Sequence, residues 1–149
     1  MPDMVYSHRR PLTISAACLI ALSLAGSAAA QTPIELHSNR FTTQQDVELG
    51  QEAAAEVRRE LPMLKDGRVE GFVQTIGNRL IAQIPAEFRH PGFAYTFEVV
   101  NLKDINAFAL PGGPMFLHRG MIEAAGTDAQ VAGVMAHELS HVVLRHGTV

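Results

Sequence analysis

Midway along the chain the spacing of apolar residues changes, and this change restricts the fold more than any other feature. From Gly67 to Ile84, Val69, Phe72, Val73, Ile76, Leu80 and Ile81 recur at three- and four-residue intervals, one face of an amphipathic helix that Pro85 ends. Past Pro91-Gly92 the period falls to two. Phe93, Tyr95, Phe97 and Val99 alternate with smaller or polar residues, as a strand requires. In "INAFALPGGPMFLHRG" two short apolar stretches flank Pro111-Gly112-Gly113-Pro114, which predicts a hairpin-like pair of strands around a glycine turn. A prolyl turn of this kind suits an exposed sheet edge. "MIEAA" reads as a short helix. Thr127, with Gln130 three residues later, then predicts a capping box and a helix running to about His146.

Upstream, "TTQQDVELGQEAAAEVRREL" predicts a first helix capped by Thr42 or Thr43. Asp46 and Glu48 lie in its first turns, Val47, Ala54 and Leu61 form its apolar stripe, and Pro62 interrupts it. The order α-α-β-β-β-α gives an α+β fold, with helices packed on a small, mainly antiparallel sheet.

Bulk properties remove several functional classes. The 149 residues are 47% hydrophobic with a formal net charge of −3, which suits a single globular domain rather than a disordered chain. Lys and Arg occur singly or in pairs, so neither nucleic acid nor an electrostatic membrane anchor is expected as a partner. Residues 1–30 differ from the rest. Arg9 and Arg10 precede "LTISAACLIALSLAG", and Ala28 and Ala30 form a small-residue end, which together predict a Sec-type signal peptide cut after Ala30. An uncleaved anchor is the alternative, although the apolar run is short for a span. Cleavage would leave 31–149 with no membrane span and, since Cys18 lies in the leader, no cysteine. Disulfides and thiolate zinc sites are then excluded, and a periplasmic location is expected.

The chemistry is concentrated in "HELSHVVLRH", His137 to His146, on the last helix. At about 100° per residue, His141 falls about 40° round from His137 and Glu138 about 100°. Two imidazoles a turn apart can share one zinc ion, while Glu138 at the flank can act as general base on a water without being a ligand. The other reading is a buried His-Glu-His hydrogen-bond network within an otherwise apolar helix. His146 is expected to face away, about 180° from His137, and to stabilise the helix C-terminus. His90 and His118 are expected to be solvated.

The pairing of "NAFALPGGPMFLHRGMI" with "AGVMAHELSHVVLRH" resembles the HExxH zinc metallopeptidases of peptidase family M48. That family embraces CAAX prenyl proteases, HtpX membrane proteases and periplasmic β-barrel assembly-enhancing proteases. The resemblance is strong over 106–146 and looser over the two preceding helices. It implies a zincin-like fold, His137 and His141 as ligands of one zinc, and Glu138 as catalytic base. It also implies that Asn106, Ala107, Phe108, Ala109, Leu110, Pro111, Gly112 and Gly113 form an edge strand binding peptide or unfolded-protein substrates by β-augmentation. A purely structural hairpin is the alternative for that segment. Within the family, the leader and the lack of transmembrane helices imply the periplasmic branch, with outer-membrane assembly machinery as a further partner. The family's third zinc ligand is a glutamate well downstream of HExxH, a role no residue before Val149 can inherit. The chain is therefore expected to be the N-terminal part of a catalytic domain, incomplete at its C-terminus. The competing function is a non-catalytic module that binds extended or unfolded outer-membrane clients.

Overall fold

The computed structural model describes residues 39–148; the expected signal peptide lies outside the described residues. Helix α1 spans Thr43–Glu60. Its capping box is reciprocal: Gln45 N donates to Thr42 Oγ1 (3.2 Å) and Thr42 N donates to Gln45 Oε1 (2.8 Å). Helix α2, Gly67–Ala82, is capped by Asp66, which accepts from Arg68 N at 2.9 Å. Strands β1 (Thr96–Val100), β2 (Ala107–Ala109) and β3 (Pro114–His118) follow, then the short helix α3, Arg119–Ala124, and finally α4, Asp128–Val143.

The sheet order is β1-β3-β2, with β1 parallel and β2 antiparallel to β3. The sheet is therefore mixed, not mainly antiparallel. The tight Pro111–Gly113 turn forces β2 and β3 to run in opposite directions. After β1, however, the chain crosses to the far edge before returning through β3, which leaves β1 parallel to the central strand. A period of two marks a residue as strand and is silent about its partner. β1 is also shorter than the alternation implied: Phe93 to Tyr95 precede it, and Ala94 N donates to Gly112 O at 2.8 Å.

Every residue of β3 is buried, which explains its apolar sequence PMFLH. Helices cover both faces of the sheet. On one, Ala54 and Val57 of α1, with Leu61 at its C-cap, pack on Val100, Phe116, Phe108 and Leu110. On the other, Val73 and Ile76 of α2 and Met135 and Leu139 of α4 pack on Phe97, Val99, Met115 and Leu117. The buried line of α1 is Asp46, Gly50 and Ala54, a displacement from the expected Val47, Ala54 and Leu61 that brings a carboxylate inside.

The β2–β3 turn is pressed against α1. Gly112 (φ 74°) and Gly113 (φ 127°) occupy backbone conformations that side chains disfavour. A Cβ on Gly50 would lie 1.7 Å from Pro111 O. Gly50→Ala is therefore expected to destabilise the fold by about 1–3 kcal/mol or more, despite the roughly 1 kcal/mol that alanine gains over glycine inside a helix. Thermal unfolding checks this. An unchanged or higher Tm would mean that α1 can lift from the turn without cost.

Candidate metal centre

Helix α4 is set by its N-cap and its apolar face. Thr127 Oγ1 accepts from Gln130 N at 3.3 Å, whereas Gln130 Oε1 accepts from Gly126 N at 2.6 Å. The expected capping box is thus shifted one residue on its return side. Val131, Met135, Leu139 and Val142 are buried against the sheet. His137 and His141 consequently lie on the exposed face and Glu138 is half-buried, so the trio is not the core cluster that the surrounding apolar sequence suggested.

His137 Nε2 and His141 Nε2 are 3.1 Å apart, with ring planes at 89°. Two nitrogens about 2.0–2.1 Å from a tetrahedral zinc are separated by about 3.3 Å, so the spacing of the pair is close to that of two ligands of one ion. The same distance also suits a hydrogen bond from one ring to the other. Among the described residues no third histidine, cysteine, aspartate or glutamate joins them in a group that could hold a metal. Glu123 pairs with Arg119 at 3.2 Å, and Asp128 lines a separate groove between α2 and α4.

The end of α4 departs from expectation. The helix stops at Val143, and Arg145 takes a left-handed conformation, φ 57°. Such a backbone costs a non-glycine residue about 1–2 kcal/mol, so the surroundings must hold it. Arg145 Nε donates to Asp46 Oδ2 at 2.6 Å, its Nη2 donates to Phe41 O, and Asn39 Nδ2 donates to Arg145 O at 3.3 Å. Asp46 is only 1% exposed. The reversal carries His146 back over the site, with its Nδ1 2.8 Å from His141 Nδ1. His146 therefore does not face away, because the 180° expectation assumed a helix that continued.

His90 and His118 are not fully solvated either. His90 is half-buried, with Nε2 3.0 Å from Val143 O, one of the carbonyls that a helix end leaves without a partner. His118 is buried at the end of β3, edge-on to Phe108. Neither joins the histidine pair.

A cavity of about 280 Å³ lies beside Glu138 and His141, while His137 is not among its lining residues. Glu138 and His141 line one side, Phe108 through Gly112 another, and Asp46 and Arg145 close it. The structure therefore brings most of the expected substrate segment to the HExxH helix. Three of its residues do not line the cavity: Asn106 precedes the strand, Ala107 packs towards the core, and Gly113 is buried against Ala94. His118 N donates to Asn106 O (2.9 Å) and Leu110 N donates to Pro114 O (2.7 Å), so alternate residues of this segment bond to β3. The main-chain groups of Ala107 and Ala109 then point to the outer edge, where no strand is paired among the described residues.

Asp46, Arg145 and His146 were not legible as site residues. Asp46 looked like an ordinary first-turn acid, and no glycine stood at the helix end to announce the reversal.

The family model described as Peptidase family M48 matches residues 68–149, more than half of the chain. Over 102 residues, 68% of the chain, the sequence is 34% identical to the beta-barrel assembly-enhancing protease of Yersinia pestis and 31% identical to that of Escherichia coli K12. It is also 40% identical over 55 residues, 37% of the chain, to the mitochondrial metalloendopeptidase OMA1 of Arabidopsis thaliana. These matches span 20%, 20% and 11% of the relatives' own lengths.

Proposed function

The chain belongs to peptidase family M48, and from that membership we propose that it works as a zinc-dependent metalloendopeptidase on exported proteins. The observation that carries this reading is the 3.1 Å approach of His137 Nε2 and His141 Nε2 beside the cavity that Glu138 shares with the β2 segment. The two imidazoles would hold the ion. When bound, zinc acidifies a water and polarises a carbonyl. Glu138 accepts the water's proton and returns it to the departing amine, which suits a carboxylate that is half-buried and, among the described residues, in no ion pair. Ala107 and Ala109 offer main-chain donors and acceptors to an extended peptide, holding its backbone before Glu138.

The substrates follow from chemistry and from the relatives' names. An edge strand reads backbone rather than side chains, so unfolded segments suit it better than folded surfaces. The relatives act in beta-barrel assembly by name, so unfolded outer-membrane clients, and contact with their assembly machinery, belong to this reading. So do the signal peptide and the periplasm. No helix among the described residues is long and apolar enough to cross a membrane.

The test is hydrolysis of labelled, unfolded casein. Cleavage should cease with 1,10-phenanthroline and return with stoichiometric zinc. Casein captured but left intact, with or without zinc, would overturn the reading in favour of the client-binding module.

A further inference from the structure

We propose that His146 is a positioning residue for His141: its Nδ1 accepts the proton of His141 Nδ1 and so leaves the His141 Nε2 lone pair facing His137. The inference rests on the proposed role of those two Nε2 atoms as metal donors. A neutral imidazole has one N–H and one lone pair, and the partner of one nitrogen decides which is which. His141 is placed between two other imidazoles, Nε2 towards His137 at 3.1 Å and Nδ1 towards His146 at 2.8 Å. A nitrogen–nitrogen distance of 2.8 Å admits one proton between the atoms, not two and not none. His146 is exposed, so its own N–H can sit on Nε2, in water. His141 then keeps its proton on Nδ1 and offers Nε2 to the metal. Orienting partners of this kind usually matter about 10- to 100-fold in metal affinity.

The fold holds His146 in place from both sides. Before it, Arg145 is fixed in its left-handed conformation by Asp46 and Phe41 O. After it, Thr148 is buried, its N–H donates to Arg145 O (3.2 Å), and its Oγ1 accepts from Asn39 Nδ2 (2.9 Å). Two anchors around one exposed histidine are more than helix termination requires. They make sense if the position of its ring matters.

The test uses the full chain and the variants His146→Ala and His146→Asn, since the asparagine Oδ1 can stand where Nδ1 stood. Zinc affinity is read by competition with a chromophoric chelator, and the His141 tautomer by long-range ¹H–¹⁵N correlation on metal-free protein at pH 8. His146→Ala should weaken zinc about 10- to 100-fold and mix the tautomers, with Tm little changed. His146→Asn should restore both to within about threefold. A proton found on His141 Nε2 in the unaltered protein, or His146→Ala binding zinc as tightly as the parent, overturns the proposal. If the parent binds no zinc, the proposed function fails, while the tautomer measurement still decides the role of His146.

Discussion

Replacing Glu138 by glutamine is expected to lower kcat/KM for peptide hydrolysis by about 10²- to 10⁴-fold, the usual contribution of a general base. Zinc binding and Tm should hardly move. The amide is nearly the same size, sits on the half-buried flank of α4, and replaces no donor of the histidine pair. His137→Ala should differ in kind, losing metal and activity together. Isotope-dilution metal analysis beside a casein assay separates the two variants. If Glu138→Gln retained more than a tenth of parental activity, the proton would be moving through another group, and the assignment of Glu138 would have to be abandoned.

The second large effect is on stability. Asp46→Ala leaves the Arg145 guanidinium, with a side chain 18% exposed, facing a cavity without its carboxylate. Breaking a buried pair from one side typically costs about 3–5 kcal/mol, which for a domain of this size is a fall in Tm of roughly 10–20 °C. The loss should be non-additive. Once Asp46 is gone, Arg145→Ala should cost far less than it does in the parent, because the two removals share one interaction. A double-mutant cycle by urea unfolding measures this, and additive losses would show the ion pair to be incidental. By contrast, Arg58 and Glu98 also pair, but both are partly exposed, and Arg58→Ala should cost less than about 1 kcal/mol.

Much of the frame was legible because it depends on neighbours in sequence. The 3.6-residue recurrence of Val69 to Ile81 and the Thr42–Gln45 box are local, and both helices form where those signals stand. The Pro111–Pro114 turn is local too, and it produces the hairpin. The HExxH pair is read off five residues of helix and the structure keeps it together. What failed to show was whatever depended on distant partners. The direction of β1 relative to β3 is set by a crossover, not by the alternation within β1. Asp46 is buried because of Arg145, 99 residues away, and an acid in a first turn gives no hint of such a partner. The reversal at Arg145 was hidden for the same reason. A left-handed arginine is tolerated only because Asp46, Phe41 and Asn39 already surround it. His146 was hidden with it: an angle of about 180° from His137 holds only for a helix that continues, and α4 ends at Val143.

The Asp46–Arg145 and Asn39–Thr148 contacts join segments separated by 99 and 109 residues. Closing a loop of that length is slow and comes late relative to helix and hairpin formation. Before the loop closes, Arg145 has nothing to hold it left-handed, and His146 is free to swing away from His141. A chain delivered N-terminus first can thus build its helices and its hairpin while the histidine pair is still unsupported. The His141–His146 contact is thereby expected to form at the end of folding.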